Sequence, residues 1–246
     1  MKKEEIILHK IIGGDEYRKE DVVAAEQILE VFVDDCPGFT VSCTPENLQE
    51  FFTGHLFLRG MIKDAAQLKD LQVDLQKGKV FAVRNRAVQE KDCAAEKDRN
   101  AAPRGVFGKG SLRKMLCLAE QVFEHPGPLF LETGCAHCCA LAYGDKILCC
   151  FEDIGRHNAL DKAVGFALLK GIPLEETAVY TSGRISADYV KKLAHAGIPT
   201  VISRAAVTGE AVRLARENQI QMLGFVRKGN ANVYSPFSEK ESTFFL

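Results

Sequence analysis

The spacing of apolar and polar residues predicts few elements at the start of the chain and a regular series after Ser111. Up to about residue 20 the residues are mostly polar and predict no defined element. Residues 28–33 and 40–42 have the composition of strands, and turn-forming residues occupy 34–38 between them. Two short strands joined by such residues predict a hairpin.

A helix is predicted directly after this hairpin. Thr44 is a good N-cap, Pro45 suits the first helical position, and apolar residues follow at helical spacing until Gly60, the predicted stop. Residues 80–83 predict the next strand. Residues 84–110 show neither the helical nor the strand period of apolar residues, so they predict a long loop. Long loops in compact chains are usually functional or disordered.

The elements predicted after Ser111 alternate between helix and strand. Helices are predicted near 111–123, 158–170, 186–196 and 209–217, and strands at 129–131, 138–143, 146–151, 178–180, 200–202 and 222–226. Gly144 and Asp145 join two of these strands in a second predicted hairpin. Alternation of this kind predicts an α/β sheet that is largely parallel in the second half of the chain. We therefore predict a small N-terminal α+β portion, residues 1–110, followed by an α/β layer domain, residues 111–246.

Composition narrows the class of protein. The chain has 246 residues, of which 46% are hydrophobic and 26% charged, and these ordinary globular values argue against disorder. The net charge of −1 removes the basic surface of a general nucleic-acid binder. No apolar run approaches the roughly 18 residues of a membrane span, and the charged first ten residues lack the apolar core of a signal peptide. We expect a cytoplasmic protein without a membrane partner.

Nine cysteines are many for such a chain, and five of them fall between residues 135 and 150. Cys93 stands in the predicted loop, two residues after Lys91, where positive charge would stabilise a reactive thiolate; the simpler alternative is a spare surface thiol. Cys135 and Cys138 form a Cys-x-x-Cys pair around His137. With Cys149 or Cys150 they could form a zinc or iron–sulfur site, but neighbouring residues of a strand point to opposite faces, which favours buried or redox-tolerant thiols.

Two polar segments follow predicted strands, where α/β proteins bind ligands. The first, residues 152–162, carries Arg156, His157 and Asn158 at a helix start, and a charge network at that start is the simpler alternative. The second, residues 181–186, offers Ser182, Gly183 and Arg184, which suit a phosphate through charge-assisted hydrogen bonds. A helix-capping serine and a surface arginine would explain it more simply. Two such turns at successive strand ends favour a shared ligand cleft.

A third segment, residues 224–234, follows the last predicted strand. Its Phe225 could stack on a nucleobase, Arg227 and Lys228 could pair with phosphate, and Asn230 and Asn232 could donate hydrogen bonds. A polar surface hairpin explains the same composition. The segment therefore supports a nucleotide ligand only together with the other two.

Four segments of the sequence together resemble the FdhD family of formate dehydrogenase accessory sulfurtransferases. They are Glu-Asp-Ile-Gly-Arg-His-Asn-Ala-Leu-Asp-Lys at 152–162, Thr-Ser-Gly-Arg at 181–184, Lys-Leu-Ala-His-Ala-Gly-Ile-Pro at 192–199, and Gly-Phe-Val-Arg at 224–227 with Asn-Val-Tyr at 232–234. The undecapeptide is highly specific, and the order and spacing of the others agree with it. With the predicted helix at 44–62, the resemblance extends over roughly residues 28–235.

The resemblance implies a fold and an activity. The fold is a cytidine-deaminase-like layered α/β domain with a mixed sheet, without the zinc site of that enzyme, plus the smaller N-terminal α+β portion. The activity is that of a sulfurtransferase, which receives sulfur from a cysteine desulfurase as a cysteine persulfide. The sulfur is passed to Mo-bis(molybdopterin guanine dinucleotide) before formate dehydrogenase, of the molybdenum or tungsten type, receives that cofactor. The resemblance also implies a homodimer in the cytoplasm, and we expect no tightly bound metal and no nucleic-acid partner.

The resemblance also implies which residues act. Cys93 would be the sulfur-carrying, catalytic thiol. The cofactor would be contacted by Arg156, His157, Asn158, Ser182, Gly183, Arg184, Phe225, Val226, Arg227, Lys228, Gly229 and Asn230.

The sequence departs from the family pattern at its sulfur-carrying loop. That loop normally has the pattern Cys-Gly-x-Cys-Gly, whereas residues 92–97 here are Asp-Cys-Ala-Ala-Glu-Lys, so Cys93 is kept and Glu96 replaces the second cysteine. A single thiolate can carry a persulfide without a neighbouring thiol to resolve it. The family's Thr-Gly-Gly-x-His is Thr-Gly-Cys-Ala-His at 133–137, and its Ala-Pro-Thr is Ala-Val-Thr at 206–208.

Three hypotheses follow from this sequence. In the first, Cys93 accepts sulfur and delivers it to the molybdenum cofactor, which Arg156, His157, Arg184 and Arg227 hold. In the second, the chain is a divergent paralogue that binds a pterin or guanine nucleotide or partner proteins without transferring sulfur, or that uses Cys135 and Cys138 as alternative thiols. In the third, it is a small metal-binding redox protein built on residues 135–150.

Overall fold

A computed structural model describes residues 2–85 and 111–235. The chain begins with a long antiparallel hairpin, β1 (Lys3–Ile12) and β2 (Asp15–Ala24), whose residues are mostly exposed. No element was predicted there, because strands that bury neither face show no alternation of apolar and polar residues. This exposed hairpin is one of three sheets in the described part of the chain.

The second sheet has four strands in the order β4-β3-β6-β5. They are β3 (Gln27–Val33), β4 (Cys36–Cys43), β5 (Leu68–Asp74) and β6 (Lys79–Arg84). The predicted hairpin of β3 and β4 and the predicted strand β6 are confirmed, while β5 was not predicted. The sheet is mixed, since β3 pairs with β6 in parallel and the other pairs are antiparallel.

Helix α1 (Leu48–Leu58) covers this sheet and places Phe51 and Phe52 in its core. The prediction that Thr44 caps this helix is wrong, because the N-cap is Asn47. Thr44 is fully buried instead: its amide donates a hydrogen bond to the distant Asp153 carboxylate, and its hydroxyl accepts one from the Ile154 amide. The helix ends just before Gly60, as predicted, and Gly60 adopts a left-handed φ of 72°.

The third sheet has six strands in the order β12-β11-β10-β9-β7-β8. They are β7 (His137–Tyr143), β8 (Lys146–Asp153), β9 (Thr177–Thr181), β10 (Thr200–Ser203), β11 (Gln221–Arg227) and β12 (Asn230–Ser235). The predicted mixed sheet is confirmed, because β9, β10 and β11 run parallel while β7, β8 and β12 add antiparallel pairs.

Five further helices pack around this sheet: α2 (Ser111–Phe123), α3 (Pro128–Thr133), α4 (Arg156–Lys170), α5 (Ala187–Ala196) and α6 (Gly209–Glu217). The predicted strand at 129–131 is wrong, because these residues form α3. Pro128 sits at the start of that helix, and the Glu152 carboxylate accepts hydrogen bonds from the Leu129 and Phe130 amides at 3.0 and 2.9 Å. A carboxylate from a distant part of the chain thus stabilises a helix where three apolar residues had predicted a strand.

The layers meet through two glycines. Helix α2 covers one face of the six-stranded sheet, and α4, α5 and α6 cover the other. Helix α4 also packs against α1, where a Cβ on Gly54 would lie 1.9 Å from the Asp161 carbonyl oxygen and one on Gly165 would lie 1.8 Å from that of Glu50. The glycines therefore allow the two backbones to touch. The α/β class is confirmed, while the cytidine-deaminase-like detail and the division at residue 110 stay predictions.

None of the helices in the described part is long and apolar enough to cross a membrane.

Candidate functional site

A cavity of about 500 Å³ opens where β8, β9 and β10 end. Its polar lining consists of the side chains of Cys135, His137, Cys138, Glu152, Ser182 and Arg204. Its apolar wall is formed by the end of α2 and by the turn and helix that follow it, including Phe123 and Phe130. The predicted ligand position at the carboxyl ends of neighbouring strands thus coincides with a cavity.

Ser182 fixes Cys138 within this cavity. The Cys138 amide donates to the Ser182 Oγ at 2.9 Å, and the Ser182 amide donates to the Cys138 carbonyl at 3.0 Å. The same Oγ lies 3.4 Å from His137 Nδ1. Two predicted residues from separate segments, Cys138 and Ser182, are therefore held side by side, and both line the cavity together with His137.

Positive charge converges on His137. Burial lowers the pKa of His137, and the guanidinium charges of Arg156 and Arg184 lower it further. The imidazole is accordingly neutral at pH 7. A Cβ on Gly183 would lie 2.7 Å from that of Arg156, so only glycine lets this arginine lie against the turn. The Arg156 Nε is buried and has no hydrogen-bond partner among the described residues.

The Arg156 guanidinium, whose Nε has no partner in the described part of the chain, and the Arg184 guanidinium both act on His137 and are suited to an anion. The structure therefore brings the predicted residues Arg156, Ser182, Gly183 and Arg184 together at one edge of the sheet. Arg204, which sequence analysis missed, adds a third guanidinium and donates to the Phe123 carbonyl at 2.7 Å. The sequence feature that could have identified Arg204 is its position directly after β10, because the predicted polar segments likewise follow β8 and β9.

Much of the 152–162 segment serves the fold. Glu152 caps α3, and Asp153 is fully buried with its Oδ2 2.7 Å from the Lys162 Nζ. Asn158, predicted as a cofactor contact, donates to the Ser42 carbonyl at 2.7 Å and to Asp153 at 2.9 Å. Its amide therefore joins the N-terminal sheet to α4, which agrees with the simpler alternative of a network at the helix start.

The second half of that segment forms another buried network. Asp161 is fully buried between His55, whose Nδ1 is 2.6 Å from Oδ2, and Lys192, whose Nζ is 2.5 Å from Oδ1. The predicted His157 lies with its ring centroid 5.4 Å from that of Tyr189. Burial, Lys192 and Arg156 all lower the pKa of His157, so it can offer a neutral imidazole but no charge at pH 7.

The predicted segment Phe225 to Asn230 covers the end of β11, the turn at Lys228 and Gly229, and the start of β12. Phe225 is exposed and adopts a positive φ of 53°. Its backbone amide donates a hydrogen bond to the carbonyl of Ala205, which follows Arg204. Val226 was predicted to contact the cofactor, but its side chain packs in the core beneath α2. Only the Val226 backbone is therefore available to a ligand. Lys228 lines a second, more open cavity of about 610 Å³ along α2. The remaining predicted contacts of this segment are exposed to solvent: Arg227, Gly229 and Asn230.

The cysteines of the β7–β8 hairpin divide between two faces, as predicted. Cys139 and Cys149 pack in the core under α4, and Cys138 packs on the opposite face with α2. Among residues 2–85 and 111–235, no three His, Cys, Asp or Glu side chains are grouped to hold a metal ion. Cys135 is exposed at the mouth of the cavity. Cys93 lies outside the described residues, so its role stays a prediction.

Fold and site together define a layered α/β protein whose strand ends carry a cavity lined by the thiols of Cys135 and Cys138 and by the Arg204 guanidinium. The chain belongs to the FdhD/NarQ family, whose profile matches residues 24–240.

Relatives over nearly the full length agree with this membership. A protein from Bacillus subtilis named sulfur carrier protein FdhD is 33% identical over 240 residues, which cover 90% of this chain and 91% of the relative. A protein of the same name from Bacillus licheniformis is 31% identical, with 91% of both chains covered. A crystal structure of a formate dehydrogenase accessory protein from Desulfotalea psychrophila superimposes with a TM-score of 0.79 at 26% identity, covering 95% of this chain and 97% of that one. The predicted family is thereby confirmed.

Proposed function

We propose that this chain is a sulfur carrier that serves formate dehydrogenase. The observation that carries the proposal is the cavity at the strand ends, where the thiols of Cys135 and Cys138 lie with the Arg204 guanidinium in a member of the FdhD/NarQ family. The Bacillus relatives are named as sulfur carriers, and the Desulfotalea protein is named as a formate dehydrogenase accessory protein. A sulfur carrier needs a thiol to hold sulfur and a site for its recipient, and the cavity supports both.

The proposed donor is a cysteine desulfurase and the proposed carrier thiol is Cys93. The Cys93 thiolate attacks the outer sulfur of the desulfurase persulfide, the S–S bond of the donor breaks, and the desulfurase cysteine leaves as a thiolate. Nothing is oxidised or reduced overall, so this exchange requires no further reactant.

The proposed recipient is Mo-bis(molybdopterin guanine dinucleotide), which is a substrate here. Its phosphates would meet Arg156 and Arg184, whose charges converge at the strand ends, and the Ser182 and Gly183 turn packs against Arg156. Phe225 is exposed and could stack on guanine. We propose contacts from Arg227 and Lys228 as weaker, solvent-exposed charges.

The proposed assembly is a homodimer in the cytoplasm. The β1–β2 hairpin exposes Ile7, Ile11 and Ile12, although an isolated two-stranded hairpin is marginally stable in water. A second copy of the chain could cover these side chains. This argument supports the dimer implied by the family resemblance.

Sulfur loading tests the proposal directly. After incubation with a cysteine desulfurase and L-cysteine, we expect the protein to gain one sulfur atom on Cys93, measured by intact mass and by peptide mapping after thiol blocking. Cys93→Ser should lose this gain, and Cys36→Ser, which removes an exposed thiol of β4, should keep it. Absence of any persulfide with retained nucleotide binding would instead favour the paralogue that binds without transferring sulfur.

Nucleotide affinity tests the recipient site, with GDP as the probe. A hydrogen bond to a charged group contributes roughly 1.5–3 kcal/mol, so Arg184→Ala should weaken GDP binding by about 10- to 100-fold in calorimetry. The control is Arg213→Ala, which removes an exposed arginine that pairs with Glu210 and Glu217 on α6. Equal affinity of the Arg184 variant and the wild type would contradict a phosphate site at this turn.

A further inference from the structure

Two cysteines of the β7–β8 hairpin share the face that carries the cavity. Cys138 pairs with Glu152 and Ala140 pairs with Cys150, so Cys138 and Cys150 are diagonal neighbours on one face of the sheet. The two side chains interact, because a hydrogen bond between the thiols is the largest influence on the pKa of Cys138. Cys139 and Cys149 point to the other face and lie in the core.

The two thiols of the pair have different surroundings. Cys138 is half-buried, lines the cavity and is anchored by Ser182 through its amide. Cys150 is exposed and lies at the adjacent position of β8. An incoming group in the cavity can therefore reach Cys138, while Cys150 lies beside it as a hydrogen-bond partner.

Electrostatics separate the roles of the two thiols. The hydrogen bond with Cys150 lowers the pKa of Cys138 to about 7, assisted by Ser182 and opposed by burial and the Glu152 carboxylate. The same interaction with Cys138 raises the pKa of Cys150, which therefore stays protonated near pH 7. Burial raises the pKa of Cys139, and that of Cys149 to about 12, so neither supplies a thiolate near pH 7.

We propose that Cys138 is a second sulfur-accepting thiol of this carrier, placed inside the cavity, and that Cys150 is its positioning residue. The inference rests on the proposed sulfur-carrier function and extends it, since it gives the 135–150 cluster a role that Cys93 does not fill. The incoming ligand is a persulfide, R–S–SH, carried by Cys93 or by a partner protein.

The transfer step is a thiol exchange. The Cys138 thiolate attacks the outer sulfur of R–S–SH, a new S–S bond forms to Cys138, the original S–S bond breaks, and R–S⁻ leaves. The outer sulfur keeps its proton, so the product is Cys138–S–SH and no net oxidation occurs. Because Cys150 stays protonated, it is a poor nucleophile toward this product, and the persulfide persists instead of collapsing to a Cys138–Cys150 disulfide with release of hydrogen sulfide.

Alkylation kinetics test the thiol pair on the full chain. We expect iodoacetamide to modify Cys138 with a half-maximal rate near pH 7. Cys150→Ala should raise this midpoint by about one to two pH units, because it removes a hydrogen bond to a charged group. Cys150→Ser, which retains a donor, should restore most of the shift, and Cys36→Ser should leave the midpoint unchanged. An unchanged midpoint in Cys150→Ala would overturn the role of Cys150.

Sulfur mapping tests the acceptor itself, with glutathione persulfide and, separately, a cysteine desulfurase with L-cysteine. We expect added sulfur on Cys138 in the wild type and none at this position in the Cys138→Ser variant. Retention of the Cys138 label in Cys93→Ser identifies an external donor, and its loss identifies Cys93 as the donor; both outcomes support the inference.

Three results would contradict it. Sulfur on Cys93 with none on Cys138 would overturn the inference and leave the sulfur-carrier function standing, as would a Cys138–Cys150 disulfide as the sole product at that pair. Sulfur on neither cysteine would overturn the sulfur-carrier function together with this inference.

Discussion

Gly54→Ala should destabilise the protein by about 3 kcal/mol or more, although the same change in an exposed helix would stabilise it by about 1 kcal/mol. The sign is reversed because the new methyl group would lie 1.9 Å from the Asp161 carbonyl oxygen and 2.7 Å from the Gly165 amide nitrogen. Both atoms belong to the α4 backbone, which cannot move aside as a flexible side chain would. The chain has no tryptophan, so urea unfolding followed by far-ultraviolet circular dichroism is the suitable measurement.

Gly209→Ala is the matched control for this prediction. Gly209 begins α6, its φ is not positive, and a Cβ there meets no atom within 4 Å. We expect its urea midpoint to stay the same or rise slightly. If Gly54→Ala matched Gly209→Ala in stability, the close approach of α1 and α4 would be wrong.

Lys162→Met should cost about 3–5 kcal/mol of unfolding free energy, because it leaves the Asp153 carboxylate buried without its cation. Both side chains are fully buried, and the Lys162 Nζ also donates to the Glu152 carbonyl at 3.1 Å. Methionine keeps the length of the side chain, so the change removes charge more than volume. The same urea unfolding experiment measures this loss.

Lys191→Met controls for the chemical change, since Lys191 pairs with Asp188 on the surface of α5. Exposed pairs contribute about 0–1 kcal/mol, so this variant should resemble the wild type. Adding Asp153→Asn to Lys162→Met should recover part of the loss, because no charge is then left buried. Strict additivity of the two substitutions would argue against a coupled pair.

Most strands and helices after residue 137 were predictable because each buries a repeating apolar set; β12, which is only partly buried, was not predicted. Elements with another source of stability were not. The β1–β2 hairpin buries almost nothing, so its sequence carries no period. Helix α3 depends on a carboxylate that follows it by some 20 residues, and no local pattern encodes that cap.

The candidate site shows the same division. Turns at successive strand ends correctly predicted that Arg156, Ser182 and Arg184 come together. The sequence did not predict that Cys138 and Cys150 share a face of the sheet. A regular two-residue turn at Gly144 and Asp145 would place Cys150 opposite Cys139. A bulge between Leu141 and Ala142 shifts the register by one residue and moves Cys150 to the face of Cys138.

The bond between the Thr44 amide and Asp153 also has a consequence for protein synthesis. The two residues are separated by 109 positions. At a translation rate of roughly 5–20 residues per second, Thr44 and α1 are synthesised about 5 to 20 s before Asp153 and Lys162. During that interval the face of α1 that later receives α4 is uncovered, so nascent chains of this length should be clients of ribosome-associated chaperones.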